Sequence, residues 1–238
     1  MEILSILFAN MLEEPFPQKV QFHNWGFILF LVCFFISAFT SNAGYKLLIS
    51  MIKSLIENIN RNSIFNEQVN NELVIKLLLC FQTILLLSII LFNGFLHNAE
   101  LLNEADIQMF PFLGKASALI IVFLVYKSIV YNLVGNVFFS KDSIRQWNGY
   151  FMSLICISGF ALFFPALLMF YFEKVYNLCC FFYLIYFIFT VILVFRKTYL
   201  LFFPHNALLL YFILYLCAQE IIPLYFLYKG LNYLFIIA

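Results

Sequence analysis

Two ionisable residues sit in stretches otherwise suited to lipid. In YLCAQEIIPLYFLYK (215–229), Glu220 is surrounded by apolar and aromatic residues, with Gln219 before it and Pro223 three positions later. In FLVYKSIVYN (123–132), Lys127 is the one cation well inside an apolar run. A charge at membrane depth costs about 2.5–3.5 kcal/mol on insertion scales, so such residues are functional candidates by default. Pro223 has no N–H, so the Gln219 carbonyl loses its helix partner and a polar notch forms beside the carboxylate. Three roles for Glu220 follow. It is a structural anchor, paired with Lys127 or accepting from tyrosines and Gln82; a contact for a partner subunit's membrane helix; or a titrating group in a proton or ion pathway. A pathway usually needs several such groups in relay, and here there are two. Gln82, Tyr126 and Tyr131 are the other polar residues at usable depth.

Other chemistry finds little support. There is no phosphate loop, nucleotide fingerprint, GxSxG or HExxH. His23, His97 and His205 fall at the edges of apolar segments, far apart in sequence, and read as interfacial side chains rather than metal ligands. The six cysteines, at 33, 80, 156, 179, 180 and 217, have no CxxC and no paired spacing. They read as small buried hydrophobes rather than disulfides or metal ligands. No basic, aromatic-interleaved patch of the kind that binds nucleic acid is present. The reading is therefore no catalytic residues, no cofactor and no metal.

The elements that must position Glu220 and Lys127 are long apolar blocks. Of 238 residues, 65% are hydrophobic and 11% charged, against about 25% charged in soluble chains. Blocks of about 20 residues match a hydrocarbon thickness of ~30 Å. A transmembrane barrel would alternate in short segments instead. The fold class is all-α, a polytopic transmembrane helical bundle of about six spans with one cytoplasmic amphipathic helix. The spans fall at about 25–42, 73–93, 112–134, 147–170, 178–195 and 205–228, forming a single membrane domain over 25–238. Residues 1–24 are expected to be a short extracytoplasmic segment, interfacial rather than a signal peptide, lacking a basic start and a small-x-small cleavage site. No internal repeat is visible.

Basic residues set the orientation. Eight of them (Lys46, Lys53, Arg61, Lys76, Lys141, Arg145, Arg196 and Lys197) fall on one side, and Lys19, Lys115, Lys174 and Lys229 on the other. The first, third and fifth loops are thus expected in the cytoplasm and both termini outside. On this topology Lys127 and Glu220 differ in depth by ~9 Å at 1.5 Å per residue. Within 45–60, Leu47, Leu48, Met51, Ile52, Leu55, Ile56 and Ile59 make one apolar helix face. That helix either lies on the inner leaflet or extends the first span, or it docks a partner. Gly149–Ser153 and Gly114–Ala118 have the small-xxx-small spacing that permits close helix approach. Pro165 is expected to kink the fourth span.

The ending LYLCAQEIIPLYFLYK (214–229), the six-span layout and the short basic loop VFFSKDSIRQW (137–147) resemble a family of multi-spanning inner-membrane proteins of Bacteroidota classed as a domain of unknown function. The resemblance implies a Gram-negative envelope and residence in the cytoplasmic membrane, and carries over no catalytic residues. The expected function is a non-catalytic accessory or scaffold subunit of a cell-envelope complex, its partners being the lipid bilayer and other membrane-protein subunits, not nucleic acid. The alternative is a small transporter or proton-coupled component using Glu220 and Lys127.

Overall fold

The computed structural model describes residues 20–56, 72–101, 109–138, 141–202 and 222–237. All the described elements are helical: α1 (Val20–Ala43), α2 (Tyr45–Ile56), α3 (Glu72–Leu101), α4 (Met109–Phe138), α5 (Lys141–Tyr171), a 3-10 turn at Glu173–Val175, α6 (Tyr176–Phe202) and α7 (Ile222–Ile237). Five of them, α1, α3, α4, α5 and α6, are long and apolar enough to cross a membrane. The chain is an all-α, multi-pass membrane protein. In lipid every backbone polar group must be satisfied within the protein, and a helix does this locally.

The sixth expected span, about 205–228, lies mostly outside the described residues. Its end is α7, where Pro223 stands in the first turn, a position that tolerates a missing N–H. Pro165 is carried inside the continuous α5.

Side-chain contacts show that the five spanning helices alternate in direction. Gly26 near the start of α1 lies against Phe170 near the end of α5, and Phe30, one turn further on, meets Phe163 and Phe170. Phe92 of α3 meets Phe112 of α4, and His97 meets Tyr176 at the start of α6 with ring centroids 4.0 Å apart. At the opposite end, Asn148 of α5 bonds Asn132 of α4, and Trp147 bonds Thr198 of α6. Thus α3 and α5 run parallel, with α1, α4 and α6 antiparallel to them.

Helix α5 is the hub, packing against α1, α2, α3, α4 and α6, while α7 packs on α4. Half of α5's most apolar window is buried within the chain (50%), against 11% for α6, whose Phe181, Ile185, Phe189 and Ile192 face outward. Apolar surface is no liability in lipid, so burial here reflects packing and hydrogen bonding rather than escape from water. One core cluster joins Phe30 and Cys33, Leu86 to Phe95, Phe112 to Ala116, and Phe163 with Ala166. A second, at the other end, joins Tyr131, Trp147, Phe151 and Ile155.

Helix α2 continues α1 almost without a break. Gly44 N donates to Thr40 O and Leu48 N to Gly44 O, each at 2.9 Å, carrying the backbone ladder across the junction. Its apolar face is docked within the chain: Leu47 and Met51 are buried against Ile75, Leu79 and Cys156. Ile52 remains exposed beside Lys53. The face read from sequence as meeting a leaflet or a partner is therefore in part an internal contact, because α3 and α5 present a matching apolar ledge.

Among the described residues, the Gly114–Ala118 pair mediates no close contact. Both residues are exposed, and nothing lies within 4 Å of a Cβ built on Gly114. Close approach is made instead at Gly159 of α5, where an added Cβ would fall 2.8 Å from Thr83 Oγ1.

Candidate functional site: a polar seam on the central helix

Polar side chains on one helix of a membrane bundle must find partners on their own backbone or on a neighbouring helix. Ser88 and Ser153 take the first course, donating to Ile84 O and Gly149 O at 2.8 Å. Around α5 most take the second. Thr83 Oγ1 lies 2.8 Å from Ile155 O and 2.9 Å from Leu79 O, so one hydroxyl bridges α3 and α5. Tyr186 donates to Ser158 Oγ at 2.6 Å and Tyr150 to Leu193 O at 3.1 Å, both linking α5 and α6. Trp147 Nε1 donates to Thr198 Oγ1 at 3.3 Å. Asn148 Nδ2 donates to Asn132 Oδ1 at 2.7 Å.

Gln82 reaches two other helices. It is fully buried, and its Nε2 donates to Ser37 Oγ of α1 at 2.7 Å and to Gly159 O of α5 at 3.3 Å. Three helices are thus joined through one amide. Its Oε1 is buried with no hydrogen-bond partner among the described residues. A buried unsatisfied acceptor costs about 1–3 kcal/mol, so this junction carries a polar cost within the α1–α3–α5 interface.

Lys127 lies elsewhere along the seam. It is 9% exposed, and its Nζ sits 5.6 Å from the ring centroid of Phe151 on α5. Phe151 stacks on Trp147 at 5.0 Å, and Trp147 on Tyr131 of α4 at 3.6 Å, so the ammonium caps a run of three aromatic rings. Such a cation–π contact contributes about 2 kcal/mol or more when desolvated. Phe151 and Gly159 are eight residues apart on α5, so the Lys127 and Gln82 levels differ by roughly 12 Å. The fold does not bring these two predicted site residues together. Tyr131 is buried in the stack, whereas Tyr126 is exposed on the outer surface.

Glu220 and Gln219 lie outside the described residues, as do Cys217 and His205. Pro223 is buried in the first turn of α7, and α7 packs closely on α4 at Gly230, where an added Cβ would meet Leu119 Cδ1 at 2.6 Å. Near the other end of α3, Glu72 and Lys76 form an ion pair one helical turn apart.

A family model described as "Domain of unknown function (DUF4271)" matches residues 26–231. The chain belongs to the DUF4271 family. The match runs from the first turns of α1 into α7 and includes the Glu220 segment, so the membrane domain as a whole carries the family's sequence pattern. No curated protein and no solved structure matches the chain. For this DUF4271 domain, function is therefore read from its own geometry.

Sequence reasoning passed over Thr83, Ser158, Gly159 and the Tyr131–Trp147–Phe151 stack. A partial signal was present in QT at 82–83 and in CISG at 156–159, two clusters of small or polar residues inside apolar helices. Neither has the spacing of a small-xxx-small motif, and only the α3–α5 pairing shows that they face each other.

Proposed function

We propose that this DUF4271 protein is a non-catalytic accessory or scaffold subunit of a cell-envelope complex, held in the cytoplasmic membrane of a bacterium of the Bacteroidota. The observation that carries this reading is where the interior polar groups are committed. Gln82, Thr83, Trp147, Tyr150 and Tyr186 each bond a different helix, which fixes the packing of the bundle. Around them, α6 turns a long aromatic and aliphatic surface outward, suited to lipid and to helices of other subunits.

The orientation proposed, with the termini outside, is supported by where the basic residues cluster. Lys46 and Lys53 of α2, Lys76 of α3, Lys141 and Arg145 of α5, and Arg196 and Lys197 of α6 all belong to the end where α3 and α5 begin. Positive charge is retained on the cytoplasmic side.

The test is extraction in mild detergent with identification of co-purifying membrane proteins. Stoichiometric recovery of another membrane subunit is the expected result. A chain that purifies alone as a monodisperse species overturns the scaffold reading.

A second reading, a small transporter or proton-coupled component, is favoured by one observation, the nine-tenths burial of Lys127 within a span. In that reading Lys127 and Glu220 act together. The Gly230–Leu119 contact sets α7 against α4, the helix that carries Lys127. Glu220 precedes Ile222 by two residues in sequence. The Glu220→Gln variant separates the readings. Intact assembly with lost ion-dependent activity overturns the structural role, and lost assembly or protein level overturns the pathway.

A further inference from the structure

Cys80 of α3 and Cys156 of α5, 76 residues apart in sequence, place their Sγ atoms 3.9 Å apart. Cys156 is fully buried and Cys80 half-buried. Helices α3 and α5 run parallel here, and one turn further on Thr83 and Gly159 are in tight contact. A disulfide requires Cα atoms within about 7 Å, and sulfurs 3.9 Å apart beside so tight a helix contact need little movement to form one. The pair lies within the membrane-spanning part of α3 and α5, on the side where α2 packs. Cys156 Sγ is 3.8 Å from Lys76 O, and the Glu72–Lys76 ion pair is one turn further toward the chain's basic end. Leu47 and Met51 of α2 close over the same cluster.

We propose that Cys80 and Cys156 are an oxidisable dithiol, a modification site whose disulfide fastens α3 to α5 beneath α2. The co-reactant is a small membrane-permeant disulfide. The Cys80 sulfur, the less buried of the two, attacks one sulfur of the reagent as a thiolate. The reagent's S–S bond breaks, and its leaving sulfur takes up the Cys80 proton through solvent. The Cys156 sulfur then attacks Cys80 in this mixed disulfide, forming the Cys80–Cys156 bond and expelling the second small thiol, which takes the Cys156 proton. The two protein thiols are oxidised by two electrons and the reagent is reduced to two thiols. Linking points so far apart in sequence constrains the unfolded chain and favours the packed bundle.

The test uses the full chain in lipid vesicles treated with dithiodipyridine, then blocked with maleimide, digested and mapped by mass spectrometry without reduction. The expected result is a linked Cys80–Cys156 peptide from the greater part of the chains, with a melting temperature raised by several degrees and restored by dithiothreitol. In C80A the linked peptide disappears, as it does in C156A, where Cys80 retains the pyridyl adduct. Two results in the unaltered chain overturn the proposal. One is Cys80 carrying a stable pyridyl adduct while Cys156 remains a free thiol. The other is neither thiol reacting under conditions that modify Cys180.

Discussion

Gly159 of α5 lies directly against Thr83 of α3, with room for a hydrogen but not for a methyl group: an added Cβ would fall 2.8 Å from Thr83 Oγ1. The same hydroxyl reaches Ile155 O, so absence of a side chain and presence of a hydroxyl are two halves of one contact. Gly159→Ala is expected to cost about 1–3 kcal/mol, the range for overpacking a close interface. Gly114→Ala, on an open face of α4, is expected to be neutral or slightly stabilising, since Ala is the better helix former. Unfolding of the detergent-solubilised protein by titration with a denaturing surfactant measures both. Equal stability of the two variants would remove Gly159 from the packing argument.

Gln82 joins α1, α3 and α5 through one side-chain amide. Gln82→Ala removes both bonds and leaves a cavity, with an expected loss of about 2–4 kcal/mol. Gln82→Met keeps the volume and removes the unpartnered Oε1, so its loss is expected to be clearly smaller. The same unfolding titration ranks them. If Met proves as damaging as Ala, the hydrogen bonds rather than the packing dominate this position.

The two tryptophans sit in opposite environments, Trp25 49% exposed and Trp147 1% exposed. In vesicles containing brominated lipid, fluorescence of the Trp147→Phe variant, which reports Trp25, is expected to be strongly quenched. Fluorescence of Trp25→Phe, reporting Trp147, is expected to persist, because Tyr131 and Phe151 cover the indole on both sides. Strong quenching of Trp147 would contradict its burial against Tyr131 of α4 and Thr198 of α6. Thr198→Val, which removes the indole's acceptor, should lower stability by about 1 kcal/mol.

The proposed pairing of Lys127 with Glu220 makes a charge-reversal prediction. Lys127→Glu and Glu220→Lys should each lower the amount of folded protein in the membrane several-fold. The double reversal should recover much of it, since like charges brought together in a span are costly and opposite ones are not. Protein level and size-exclusion profile report the outcome. Additive damage in the double variant would argue that the two residues do not meet.

Much of the architecture was legible in residue type. Charge-poor apolar blocks of about a bilayer's thickness predicted helices, and α1, α3, α4, α5 and α6 are five such helices. The spacing of Leu47 and Met51 predicted a helix with one apolar side, which α2 has. Side-chain direction was much less legible. Because nearly every face of these helices is apolar, hydrophobic periodicity could not distinguish an inward Phe from an outward one, and Tyr126 and Tyr131 looked equivalent until α4 was placed. Gly114–Ala118 had the right spacing for helix contact and faces outward. Gly159 lacked that spacing and makes the contact.

The sequence by itself determined that the chain lives in a membrane, that its backbone is helical, and which side of the bundle carries the positive charge. Each of these follows from composition along the chain, since transfer into lipid and local hydrogen bonding depend on a residue and its near neighbours. Tertiary structure decided which polar groups meet. Lys127 rests on Phe151, Gln82 reaches Ser37 and Gly159, and Cys80 faces Cys156, although these partners lie 24 to 77 residues away. In a bundle whose outer surface gains nothing from burial, such contacts arise only where the register of parallel and antiparallel helices aligns one small or polar side chain with another, and no local pattern encodes that register.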